Sequence, residues 1–328
     1  MIDNSPLVSV LMPVYNASLY LSEAIKSVLE QDYKNFEFII INDGSTDDSE
    51  SIILNFKDSR IKYLKNEQNL KLIATLNRGL SIAQGKYIAR MDADDISLSS
   101  RFRKQVSFLE QNNDYGIVGT NAKIISLENK VISYPLTNNE IKYSLIFFNP
   151  FIHSSVLIRK SILDENKLHY DATRLHVEDY DLWIKIMSYS KGYNIEECLV
   201  LYRIHENQVS NLFDELQKKN TIEIQIDYLI SIGVNRKLST LIVNLFDSYS
   251  NLTLKELFDL IKNIKKINWN ITFLNSKRLE NAVIKTARNR IIERRNLNFK
   301  EFCLICMNLR RFSVKQFLHL TRIVFITR

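Results

Sequence analysis

Along the first hundred residues, short apolar runs alternate with longer stretches in which apolar residues recur every three or four positions. Leu7–Met12 is an apolar, β-branched run that ends at a proline, which predicts a buried strand. From Ser18 to Gln31, the apolar residues Leu21, Ala24, Ile25, Val28 and Leu29 keep helical spacing. Phe36–Ile41 predicts a second strand, and the turn-rich Asn42–Asp47 that follows offers caps to a helix over roughly 48–57. Ile61–Leu64 predicts a third strand, Leu72–Ala83 a helix closing at Gly85, and Tyr87–Met91 a fourth strand. Strands alternating with helices in this way predict βαβ units and a mostly parallel sheet.

Beyond residue 98 the rhythm changes. A helix over about 98–112 precedes short strands near 116–126 and 130–134, a helix over Val177–Ser190 and a strand over Cys198–Ile204. From about 214 onward only helices are predicted, over roughly 215–232, 237–248, 253–266, 278–294 and 298–326. Charge divides at the same place. Residues 214–328 hold 21 lysines and arginines against 10 acids, a net +11, whereas residues 1–213 hold 23 against 27, a net −4. All four prolines lie in the first 150 residues, and no glycine follows Gly233. We therefore expect two domains, an acidic α/β domain over 1–213 and a basic helical region over 214–328.

With 45% hydrophobic and 25% charged residues, the chain falls outside the collagen-like and disordered classes. Three cysteines are too few for a disulfide framework and point to a reducing compartment. Cys303 and Cys306 form a lone C-x-x-C in an apolar helical stretch, where buried thiols are the simplest reading. The longest C-terminal apolar stretch, Phe302–Met307, is far short of the ~20 residues a spanning helix needs, and the N-terminus lacks a basic leader, so a cytoplasmic location is expected.

Several familiar sites are missing. The chain has no G-x-G-x-x-G, G-x-S-x-G or H-E-x-x-H, and Gly79–Gly85–Lys86 does not keep P-loop spacing. Open α/β sheets bind ligands at the carboxyl ends of their strands, and carboxylates stand there. Asp43 follows the second strand, and Asp92, Asp94 and Asp95 follow the fourth. Three acids in four residues repel one another unless a cation sits among them, and hard oxygen ligands suit Mg²⁺ or Mn²⁺. A solvated acidic turn capping the next helix is the plainer alternative.

The residues resemble family 2 glycosyltransferases at five places in the same order. They are Val8–Asn16, Asn42–Asp47, Asp92-Ala93-Asp94-Asp95, Glu178–Trp183 and Tyr202–Asn207, and together they span about 6–211. The resemblance implies a Rossmann-like GT-A fold and inverting transfer of a hexose from a UDP-sugar, with UDP-glucose or UDP-galactose preferred. It implies that Pro13, Tyr15 and Asp43 hold the uracil. Asp43 suits the imide N–H because a carboxylate only accepts. By the same match Asp94 ligates Mn²⁺ or Mg²⁺, Asp92 meets the ribose or the metal, and His205 reaches the metal or diphosphate. Asp179 would be the base that takes the acceptor's proton, with Glu178 orienting the acceptor. Arg90 and Arg203 are weaker candidates for the diphosphate, with a surface ion pair the equal alternative for either, and His153 and Ser154 are expected on the acceptor side. Each has a plainer alternative: a turn aspartate at Asp43, a structural histidine at His205, and helix-dipole stabilisation at Glu178 and Asp179.

The family context also implies a saccharide acceptor on a polyprenyl-diphosphate carrier, as in bacterial O-antigen and capsule synthesis, and a β-glycosidic product. Basic helices containing Arg288, Arg290, Arg294 and Arg295 would then lie on the anionic cytoplasmic face of the inner membrane. A soluble bundle with a solvated basic face is the alternative. A catalytically inactive sugar-nucleotide scaffold remains a rival, and so does nucleic-acid binding, for which the chain has no RNP, KH or zinc-finger pattern.

Overall fold

The computed structural model describes residues 5–125, 130–205, 214–247, 250–264 and 276–292. Its contacts divide the chain into two compact units, 1–221 and 222–328. The first unit opens with β1 (Val8–Val14), α1 (Ser18–Leu29), β2 (Phe36–Asn42), α2 (Ser49–Asn55), β3 (Ile61–Lys65), α3 (Leu72–Ile82) and β4 (Tyr87–Arg90). These four strands are mutually parallel. There follow β5 (Ile96–Ser97), α4 (Arg101–Gln111), β6 (Tyr115–Ile124), β7 (Val131–Ile132), α5 (Asn138–Ser144), a 3-10 turn at His153–Ser155, β8 (Leu157–Arg159), α6 (Lys160–Glu165), α7 (Glu178–Tyr189) and β9 (Lys191–Tyr202).

The sheet order is β3-β2-β1-β4-β8-β6-β9-β5, with β7 on β6; β8 is antiparallel to both its neighbours, and β9 is parallel to β6. The central strands β1, β2 and β4 are mostly apolar and buried because both faces are covered. Val8, Val10 and Met12 pack in one core with Leu21, Ile25 and Val28 of α1 and Phe102 of α4. Leu11 points the other way, towards α3, where a Cβ on Gly79 would lie 3.3 Å from its side chain. This is the mixed, mostly parallel sheet flanked by helices that the residue pattern predicts.

Departures cluster between residues 135 and 176 and along β9. The strand β9 starts at Lys191, ahead of the predicted Cys198, because its polar first half is held by bulged pairing to β6 rather than by apolar alternation. The elements α5, β8 and α6 are short and carry no periodicity, although α5 has a capping box between Thr137 and Glu140 that is legible as T-x-x-E.

The helices α8 (Asp214–Ser231), α9 (Arg236–Phe246), α10 (Leu254–Ile264) and α11 (Ser276–Ile292) follow. The division between the units falls inside α8. In the second unit Leu241, Leu245, Leu257, Ile261, Leu279 and Val283 are buried. Arg290, one of the four clustered arginines, turns its guanidinium to the Ser250 carbonyl at 2.9 Å. The side chain of Arg288, the arginines Arg294 and Arg295, the pair Cys303 and Cys306, and the helix predicted over 298–326 lie outside the described residues. No described helix is long and apolar enough to cross a membrane.

Candidate active site

Two loops at the carboxyl ends of β1 and β2 are stitched together. Asn16, left-handed at φ 47°, donates its N–H to Ser45 Oγ at 3.1 Å and accepts the Thr46 N–H at 2.9 Å. Ala17 N–H donates to Ser49 Oγ at 3.0 Å, and Ser18 N–H to Asp47 Oδ2 at 3.0 Å. Burial pushes the Asp47 carboxyl up, but these and other hydrogen bonds from Ser49 and Ser18 outweigh it and hold it near about 2. Gly44 makes the turn at φ +70°, and a Cβ there would lie 2.7 Å from the Gln68 backbone. Within this frame Asp43 is 3% exposed, its Oδ1 accepting from Asn66 Nδ2 at 2.7 Å and from Leu70 N–H at 2.8 Å. Pro13 is half-buried and Tyr15 is 49% exposed, and the Asp43 N–H donates to the Val14 carbonyl at 2.8 Å, so the three residues expected at the nucleotide stand at the neighbouring ends of β1 and β2.

The chain leaves β4 into the acid run. One oxygen each of Asp92, Asp94 and Asp95 lies within 4.8 Å of the others. Asp92 and Asp94 are half-buried, whereas Asp95 is buried beneath them. Arg203 fastens this turn from β9's end, donating Nε to the Asp94 carbonyl at 2.8 Å and its N–H to Asp95 Oδ1 at 2.9 Å. His205 Nε2 is 2.9 Å from Asp94 Oδ2. Arg203 itself lies over the Tyr20 ring and pairs with Glu23 at 2.6 Å.

The electrostatics of the run are unbalanced. Burial and the neighbouring Asp92 charge push Asp94 up, and burial with Asp92 and Asp94 pushes Asp95 up to about 8. Asp92 is held down against burial by Arg90. Arg90 is 2% exposed and paired to Asp92, so the ion-pair alternative expected for it is met inside the fold rather than at the surface. Ser154, expected on the acceptor side, is fully buried and donates Oγ to Asp92 Oδ2 at 2.5 Å. His153 is half-buried, 3.0 Å from the Tyr170 hydroxyl and edge-on to Trp183. Burial and the Arg90 charge keep its imidazole neutral, well below the usual histidine range.

The second carboxylate pair opens α7. Glu178 is buried, and Asp179 is half-buried. Asp179 Oδ1 accepts the Tyr180 N–H at 2.6 Å, and Oδ2 accepts Asn149 Nδ2 at 2.8 Å. Burial, then the adjacent Asp179 charge, pushes Glu178 up to about 7, and burial pushes Asp179 up to about 6 against those hydrogen bonds and Arg90. Arg90 thus acts on Asp92, Glu178 and Asp179 at once, which brings the acid run and the α7 pair into one electrostatic unit. Sequence reasoning missed Asn149, whose only local signal is an Asn-Pro turn, and Arg101, fully buried with Nη2 on the Arg90 and Val156 carbonyls at 3.0 and 3.1 Å.

Comparison with known proteins adds a second line of findings. Residues 9–164 match the family model described as Glycosyl transferase family 2. An uncharacterized glycosyltransferase of Haemophilus influenzae is 36% identical over 252 residues, covering 72% of this chain and 78% of the relative. The UDP-Glc:alpha-D-GlcNAc-diphosphoundecaprenol beta-1,3-glucosyltransferase WfgD of Escherichia coli is 33% identical over 220 residues, 65% of this chain and 83% of that protein. Among solved structures, S. aureus TarS 1-349 in complex with UDP-GlcNAc superposes with a TM-score of 0.62 at 15% identity, covering 87% of this chain and 85% of TarS. That likeness establishes the GT-A type of fold.

Proposed function

The chain belongs to glycosyl transferase family 2, and from that premise we propose that it is a metal-dependent inverting hexosyltransferase using a UDP-sugar. The observation that carries this reading is the acid run itself. Three carboxylates crowd within 4.8 Å, two of them pushed up by burial and then by their neighbours' charge, and Arg90 acts electrostatically on this run and on the second carboxylate pair alike. Such a set of hard oxygen donors fits Mn²⁺ or Mg²⁺, with His205 available beside Asp94. When bound, the cation neutralises the diphosphate and stabilises the charge on the departing UDP.

The chain's own residues supply the rest. Asp43 accepts the uracil N–H, and Pro13 and Tyr15 lie against the base and ribose. Asp94 and Asp92 hold the metal, with Asp92 braced from below by Arg90 and Ser154. Asp179 takes the proton of the acceptor hydroxyl as its oxygen attacks C1 from the face opposite the leaving group, giving a β-linkage from an α-linked donor. A pKa of about 6 suits this task, since the carboxylate is ionised at neutral pH and still basic enough to receive a proton. Glu178 orients the acceptor.

The donor and acceptor in WfgD's name, UDP-Glc and GlcNAc-diphosphoundecaprenol, support UDP-glucose over UDP-galactose as donor here and a saccharide on a polyprenyl diphosphate as acceptor. Such a carrier lipid would place the reaction in polysaccharide synthesis at the cytoplasmic face of the membrane. Residues 214–328, with their net +11, would bring the catalytic unit, 1–213, to that anionic surface. The test is a hydrolysis and transfer screen across UDP-glucose, UDP-galactose and their N-acetylated forms with Mn²⁺. Metal-dependent release of UDP from one of them is expected, and binding of every donor without turnover in the presence of acceptor lipid would support the inactive scaffold instead.

A further inference from the structure

An aromatic pair beside the α7 carboxylates is left unused by the roles above. Phe148 is 43% exposed and directly precedes Asn149, whose amide holds Asp179. Tyr134 lies beside it, the ring centroids 6.1 Å apart and the planes inclined at 34°. The pair is tied to Asp179 through Asn149, the residue after Phe148, and the Tyr134 phenol is pushed up by burial and then by the Asp179 charge.

The Tyr134 ring and the Phe148 backbone are held in place. Tyr134 packs on the cluster of Ala122, Ile152 and Val200, and its N–H donates to Asn121 Oδ1 at 3.0 Å. Phe148 N–H donates to the Ser144 carbonyl at 2.9 Å at the end of α5. The Asn149 side chain is fixed at both ends, since its Oδ1 accepts the Phe151 N–H at 3.3 Å while its Nδ2 donates to Asp179. A single exposed phenylalanine is ordinary on a protein surface. One anchored next to a polarised carboxylate is a recognition geometry, apolar on one side and hydrogen-bonding on the other.

A pyranose has matching faces, with C–H groups on its flat side and hydroxyls around its rim. We propose that Phe148 and Tyr134 form the acceptor subsite and take one pyranose ring of the acceptor saccharide. Its C–H face lies on Phe148, one rim hydroxyl points to Asp179, and the Tyr134 hydroxyl takes a second. The inference rests on Asp179 as the base that receives the acceptor's proton.

Ligand-observed NMR on the full chain with UDP and Mn²⁺, using methyl pyranosides of glucose, galactose, N-acetylglucosamine and N-acetylgalactosamine as probes, tests it. At least one pyranoside should bind, Phe148→Ala should weaken that binding about tenfold, and Phe148→Trp should retain it. UDP affinity by calorimetry should be the same in all three proteins. Binding unchanged in Phe148→Ala overturns the proposal, as does the absence of any pyranoside binding. Farnesyl diphosphate is the lipid control: binding that needs Phe148 for it and not for any pyranoside assigns the pair to the carrier lipid and overturns the saccharide assignment. A failure of UDP to bind the wild type overturns the donor reading instead and shows in the calorimetry alone.

Discussion

At the scale of single residues, the site separates groups that face solvent from groups that hold them. Asp94 and Asp179 are half-buried and within reach of ligands, and each is braced by a neighbour, His205 and Asn149 respectively. Asp94→Ala is expected to abolish transfer even at saturating Mn²⁺, and wild-type turnover in a radiolabelled-sugar assay would sink the metal role. Asp179→Asn should stop turnover and leave UDP binding intact by calorimetry; a parallel loss of both would remove it as the base. With Asp179 at about 6, kcat should fall as pH drops below that value, because protonation removes the base. Asn149 donates to the charged form, so Asn149→Ala raises the Asp179 pKa and should move this acid limb up by about one pH unit. A limb that stays in place would reduce Asn149 to packing. Asn149 lies thirty residues from Asp179, and no pattern in the sequence pairs them, since the contact exists only once the segment after α5 meets the start of α7.

At the scale of elements, the loops and caps at strand ends position the chemistry. Gly44 occupies a left-handed turn where a side chain meets the Gln68 backbone, so Gly44→Ala should displace the loop that holds Asp43 and weaken UDP binding, measured by calorimetry. The capping box opening α5 sets the segment that carries Phe148 and Asn149. Thr137→Ala should cost about 1 kcal/mol of stability in denaturant titration, and no change would mean that α5 is held by packing alone. The parallel strands and their helices were legible because apolar runs and helical spacing are local signals. The first half of β9, together with β8 and α6, was not, because bulged or three-residue pairing leaves no period to read.

At the scale of the molecule, stability and chemistry pull against each other. Asp95 at about 8, Glu178 at about 7 and Asp179 at about 6 hold protons in the native state that the unfolded chain releases near pH 4. Their contribution is therefore full below about pH 4 and is lost as pH rises towards about 8, so the metal-free protein should melt lower at pH 8 than at pH 5. Added Mn²⁺ should recover the difference at pH 8 in a thermal-shift scan; an equal Tm at both pH values would mean that the acids are not uncompensated. The net +11 of residues 214–328 predicts flotation of the full chain with anionic liposomes at low salt, and protein left at the bottom would remove the membrane role. The sequence alone determined the parallel sheet, the acids at its strand ends and the split in charge, because each is written in nearest-neighbour pattern or composition. Only the tertiary structure decided what those acids face. It set Arg90 against Asp92 as a buried counter-ion, hydrogen-bonded Ser154 to Asp92, and paired Asn149 with Asp179, because charge and hydrogen bonding act across distances in space that no interval along the chain encodes.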